Sequence, residues 1–117
     1  MDEHNIQKLL VAWFRKAYPL LAPLLFAIPN GGHRDPVTAR RLKDEGVLPG
    51  IPDLFLAIPT AGSSGLFIEM KTLRGTATKA QKAVHAALQA QGYSVAVARG
   101  YDAGKKVISE YLSATML

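Results

Sequence analysis

Two apolar runs joined by a short polar segment constrain this chain more than any other feature. Leu54-Phe55-Leu56-Ala57-Ile58 and Leu66-Phe67-Ile68-Glu69-Met70 are short and rich in strand formers. Between them, Pro59-Thr60-Ala61-Gly62-Ser63-Ser64-Gly65 is a loop by composition. Two such strands most simply form an antiparallel hairpin. Pairing Ile58 with Leu66 sets Phe55 opposite Glu69 and Asp53 opposite Lys71. Side chains alternate along a strand, so Asp53, Glu69 and Lys71 then share one face at the open end of the hairpin. Leu54, Leu56 and Ile58 share the other with Leu66, Ile68 and Met70. A slip of one residue would turn the carboxylates into the core, so the apolar pattern favours this register.

The flanking chain is read in the same way. Asp2 caps a first helix whose apolar period runs through Ile6, Leu9, Leu10, Trp13, Phe14 and Ala17. Pro19 stops it, and a short strand is expected at Leu24 to Ile28. Pro29-Asn30-Gly31-Gly32-His33-Arg34 is a turn. Asp35 and Pro36 open a second helix that ends near Gly46. After the hairpin, Thr78 and Gln81 form a capping box for a helix with Ala80, Ala83, Val84, Ala87 and Leu88 on its stripe. Gly92 ends that helix, Tyr93 to Ala98 is a strand, and Asp102 caps a last helix carrying Val107, Ile108, Tyr111 and Leu112. A helical crossover makes the strands on either side of it parallel. The expected fold is α/β, a mixed sheet flanked by helices in the order αβαββαβα.

Composition narrows the function. A chain of 117 residues, 49% hydrophobic and 20% charged, reads as one globular domain over 1–117. Without cysteine there are no disulfides, zinc–thiolate sites or thiol nucleophiles. A net charge of +5 and a pI of 9.7 point toward nucleic acid, although other basic proteins share them. Met1-Asp2-Glu3 is acidic where a signal peptide is basic. The longest apolar stretch, Leu20 to Ile28, is too short for a bilayer. A cytoplasmic protein with no membrane partner is expected.

Asp53 and Glu69 are suited to a hard cation. Mg²⁺ favours carboxylate and carbonyl oxygens and often takes only one or two protein carboxylates, which the Met70 carbonyl can supplement. Such an ion polarises phosphate and acidifies water. Lys71 can position that water or stabilise charge in the transition state. The plain alternative is that Asp53 opens a strand and Glu69 with Lys71 makes a solvated pair on its edge. The coherent hairpin and the basic chain favour the metal site.

These residues resemble the PD-(D/E)XK nucleases, and more narrowly the stand-alone VRR-NUC (virus-type replication-repair nuclease) domains of phages and bacteria. The resemblance runs from Glu3-His4-Asn5-Ile6-Gln7 through Ile28-Pro29-Asn30-Gly31-Gly32 and Arg41-Leu42-Lys43 to Gly50-Ile51-Pro52-Asp53. It continues through Ile68-Glu69-Met70-Lys71, Thr78, Gln81 and Gly92-Tyr93. It implies a restriction-endonuclease-like fold, Asp53, Glu69 and the Met70 carbonyl as ligands of Mg²⁺ or Mn²⁺, and Lys71 as catalytic. It adds Glu3 as a further acidic group and Gln81 as a polar group of the active site. It also implies cleavage of branched DNA such as Holliday junctions, by a homodimer.

Other residues have competing explanations. Glu3 can simply complement the helix dipole, and the capping box accounts for Gln81, whose side chain is expected to serve only one of its two roles. His4, His33 and His85 read as surface histidines, since no pair has ligand spacing. Asn30, Arg34, Arg41, Lys43, Arg74 and Lys79 are candidate nucleic-acid contacts. Trp13 and Phe14 fit the core better than a base-stacking platform, and the apolar surface from Leu20 to Phe26 suits a dimer interface. The rival functions are a non-catalytic nucleic-acid-binding module on a nuclease scaffold and a flap or single-strand nuclease.

Overall fold

A computed structural model describes residues 1–30 and 35–114. The glycines of the expected turn, with His33 and Arg34, lie outside the described residues. The chain is α/β in the expected order: α1 (Glu3–Ala17), β1 (Leu25–Ala27), α2 (Pro36–Asp44), β2 (Leu54–Leu56), β3 (Leu66–Lys71), α3 (Lys79–Ala90), β4 (Ser94–Arg99) and α4 (Tyr101–Ser113). A 3-10 helix, Pro19–Leu24, takes the first residue of the expected strand, and β1 also stops short of Ile28, which leaves it three residues. Pro19 stands at the first position of the 3-10 helix, where no donor is needed, while Pro23 inside it has no N–H with which to carry an α-helix onward.

The four strands lie in the order β1-β2-β3-β4. The first two pairings are antiparallel, and β3 pairs with β4 in parallel across the α3 crossover. The hairpin register differs from the expected one by two residues, since Leu56 rather than Ile58 faces Leu66. A shift of two preserves which side chains share a face, so the grouping stands while the partners change. Continued one step past β2, this register sets Asp53 opposite Glu69 instead of Lys71.

One face of the sheet carries Leu54, Leu56, Ile68 and Met70, packed with Ile6, Leu10 and Phe14 of α1 and Ile108 and Leu112 of α4. Leu9, expected on the same stripe of α1, is 45% exposed. The helices approach closely at Gly104, where a Cβ would stand 2.7 Å from Leu10 Cδ2. Trp13 packs at the margin of this core, edge-on to Tyr18. The last helix begins from Gly100 at φ +102°, not from Asp102, which sits inside its first turn. Among the described residues, no helix is long and apolar enough to cross a membrane.

Candidate active site

The second face of the sheet holds Glu69 and Lys71, and it is covered over both of them. Glu69 is 2% exposed and Lys71 7%. The cover comes from α3. Thr78 caps the helix through a complete capping box, and Gly50 of the Gly-Ile-Pro-Asp run lets it come close. Gly50 has φ +91°, and a Cβ there would lie 2.9 Å from the Ala80 carbonyl carbon. Only glycine combines that backbone angle with that approach. Its placement two residues ahead of the buried Pro52 ties the start of α3 to the segment that delivers Asp53.

Each carboxylate is held by neighbours. Asp53 Oδ2 accepts from the Met70 backbone N–H at 2.7 Å, and Oδ1 accepts from Asn30 Nδ2 at 2.9 Å. Asn30, expected to contact nucleic acid, thus orients Asp53. The N–H and C=O of one strand residue point to the same side. The Met70 carbonyl therefore lies on the Asp53 edge of β3 while the Met70 side chain is in the core. Glu69 Oε2 receives Gln81 Nε2 at 3.3 Å, and Oε1 lies 3.4 Å from His85 Nε2. Both are long for hydrogen bonds and orient the group more than they bind it.

Gln81 therefore serves both roles between which it was expected to divide. Its Oε1 accepts from the Thr78 N–H at 2.9 Å while its Nε2 reaches Glu69. An amide has an acceptor end and a donor end, so capping and site contact are compatible. His85 was expected at the surface and instead faces Glu69. The available signal was its spacing, one helical turn after Gln81 and on the same side of α3. The contact is an ion pair only when the imidazole is protonated, which its surroundings disfavour. Burial first, and then the Lys71 charge, hold the imidazole below its ordinary pKa.

The electrostatics are those of crowded carboxylates. Glu69 is pushed up to about 8, chiefly by burial, then by the hydrogen bond and charge of Asp53 and the charge of Glu3, with Lys71 opposing. Glu3 is exposed on the first turn of α1, and its charge reaches Glu69. No group of three or more His, Asp or Glu side chains that could hold a metal is found among the described residues. The hard-oxygen set is Asp53, Glu69 and the Met70 carbonyl. Each carboxylate retains lone pairs beyond its protein contacts, so the set fits Mg²⁺ or Mn²⁺, which keep several waters.

The candidate nucleic-acid residues separate. Arg74 and Lys79 are exposed on and after the loop that leaves Lys71 toward α3. Arg41 and Lys43 lie exposed on α2, no residue of which is buried, and their side chains make no hydrogen bond or ion pair among the described residues. Arg99, which was not among the expected site residues, sits beside Lys71 in the β3–β4 register and donates to the Gly75 carbonyl.

A solved structure described as a VRR_NUC domain protein superposes with a TM-score of 0.86 at 29% identity, covering 97% of this chain and 90% of that one. No curated protein matches the chain. Residues 1–102 match the profile of the VRR-NUC domain. That span takes in Glu3, Asp53, Glu69, Lys71, Gln81 and His85, and with the shared nuclease-type fold it makes this chain a member of the VRR-NUC domain family.

Proposed function

We propose that the chain is a metal-dependent endonuclease that hydrolyses phosphodiester bonds in DNA. The observation that carries this reading is the meeting of Asp53, Glu69 and the Met70 backbone beside a buried lysine, Lys71. A purely structural sheet gains nothing from a buried carboxylate pressed against a half-buried one. Asp53, Glu69 and the Met70 carbonyl would hold Mg²⁺ or Mn²⁺, which supplies charge stabilisation to phosphate and acidifies water. Glu3 adds negative charge at the same place and assists as an outer ligand. Asn30, Gln81 and His85 hold the carboxylates in position. Lys71 orients the attacking water and offsets charge on the phosphoryl oxygens. Arg74 and Lys79, with Arg41 and Lys43 on α2, follow the DNA backbone and make binding salt-dependent.

Branched DNA cut by a homodimer is the finer form of the proposal. Leu20 is 93% exposed and Phe26 46%, an apolar surface suited to a second copy. The test is cleavage of labelled four-way-junction, flap, single-stranded and linear duplex DNA in Mg²⁺ or Mn²⁺, with EDTA and Lys71→Ala as controls. Metal-dependent cutting, lost in the variant, is expected. Binding without cutting of any substrate by the wild type would instead make the chain a binding module.

A further inference from the structure

A cavity of about 630 Å³ adjoins this site, bounded by Thr72, the ends of β3 and β4 and the first turns of α1 and α4. Its walls include Ile6, Leu73 and Tyr101, and Arg74 and Arg99 stand at its edge. Leu73 is 81% exposed. Two elements join the cavity to the carboxylates. Thr72 lines it and directly follows Lys71, while Ile6 lines it one helical turn from Glu3, whose charge reaches Glu69.

The chemistry of the lining selects an occupant. Asp102 also borders the cavity, but its carboxylate is paired with Lys105 Nζ at 3.5 Å, and that ammonium lies 4.4 Å from the centre of the Tyr101 ring. Neither Arg74 nor Arg99 has an ion-pair partner among the described residues, and the one hydrogen bond of the Arg99 guanidinium, to the neutral Gly75 carbonyl, leaves its charge without a counter-ion. Apolar and aromatic walls beneath uncompensated guanidinium groups suit a flat, uncharged ring attached to a phosphate. The volume lies within the range of small-ligand pockets.

We propose that this cavity receives one unstacked nucleobase of the strand being cut, its phosphate at the arginines. The proposal rests on the nuclease reading above. A base held in a duplex cannot enter without leaving its stack, which costs free energy. The cavity therefore favours strands with an unpaired nucleotide beside the scissile bond, as at a junction, flap or single strand. It gives a physical source for structure selectivity in a chain this small.

The test measures binding in EDTA, where nothing is cut, with the full chain and oligonucleotides carrying 2-aminopurine at successive positions. One position of a single strand should change its emission on binding, and the matching fully paired duplex should not. An abasic site at that position should weaken binding roughly tenfold. Leu73→Ser should weaken the intact strand but not the abasic one, whereas Leu73→Met should bind like the wild type. Leu73 is exposed, so these changes leave the fold intact, and a thermal melt checks this. Equal affinity for intact and abasic strands, or equal weakening of both by Leu73→Ser, would overturn the proposal. Cleavage in Mg²⁺ and Mn²⁺ is measured in parallel. A position-specific base signal without cutting keeps the cavity and removes the nuclease, and cutting without base dependence does the reverse.

Discussion

Ile68, Glu69 and Met70 are neighbours in the chain and live in opposite environments. Ile68 and Met70 are fully buried on the face closed by α1 and α4, among side chains with no charge to satisfy. Glu69 points to the other face, with Phe55, Phe67 and Lys71, beneath a helix none of whose own residues is buried. That second face remains partly open, since Val97, paired with Glu69, is 38% exposed. The first face is what apolar burial alone would build. The second holds a carboxylate and an ammonium at a cost in desolvation that packing does not require. The contrast teaches that the sheet is asymmetric for chemistry.

The largest expected effect comes from removing the charge on the second face. Glu69→Gln should reduce cleavage by about a hundredfold or more, measured under single-turnover conditions. It should also change stability in the opposite sense. With Glu69 raised from 4.5 to about 8, the folded chain holds more protons than the unfolded chain between those values. Stability of the metal-free protein therefore falls as pH rises from about 4.5 through about 8. Glutamine never charges, so Glu69→Gln should lose that slope and exceed the wild type in stability near pH 8. Added Mg²⁺ should reduce the slope in the wild type alone, because a nearby cation favours the charged carboxylate. Urea unfolding across pH checks both statements, and equal slopes in the two proteins would contradict the assignment.

Met70 sharpens the comparison because its side chain and backbone belong to different faces. Met70→Ala should cost about 2–5 kcal/mol of stability through the cavity it leaves, read as a fall in the denaturant midpoint. Its carbonyl is retained, so cleavage per folded molecule should persist at low temperature. Met70→Leu keeps the volume and should cost less than about 1.5 kcal/mol. Loss of activity in a stable Met70→Leu protein would mean that the side chain, and not the carbonyl, serves the site.

The same division explains what was legible in the sequence. Alternation in Leu54–Leu56 and Leu66–Lys71 identified the core face and the carboxylate face even though the pairing itself was displaced by two residues. Period survives such a shift, whereas partners depend on where the loop closes, and here Thr60 and Ser63 close it early by pairing with each other. Capping signals placed the starts of α1, α2 and α3 because they act locally. The roof over Glu69 was not legible, since it depends on a contact between Gly50 and Ala80 far apart in sequence. His85 joins the site through that tertiary placement, signalled only by its spacing of one turn from Gln81, and nothing next to Asn30 in the chain announces its orienting role.

Gly50→Ala tests that roof. The positive φ costs a residue with a Cβ about 1–3 kcal/mol, and the clash with the Ala80 backbone adds to it. Activity should fall together with stability, since α3 carries both Gln81 and His85 toward Glu69. A destabilised variant with normal cleavage per folded molecule would separate the roof from the site.

The smallest effect distinguishes capping from chemistry. Thr78 Oγ1 accepts from the Gln81 N–H at 3.1 Å, and the Thr78 N–H donates to the same glutamine's Oε1. Thr78→Ala removes the first bond and should cost about 1 kcal/mol. Thr78→Ser, which keeps the hydroxyl, should cost much less. The second bond uses the backbone and survives both changes, so Gln81 Nε2 should stay near Glu69 and cleavage by folded Thr78→Ala should fall only slightly. Gln81→Ala removes both ends of the amide and should lower stability and cleavage together. If Thr78→Ala instead lowers cleavage as far as Gln81→Ala does, the hydroxyl is what aims Gln81 at the carboxylate. The capping box would then be part of the active face, joined to it through one amide.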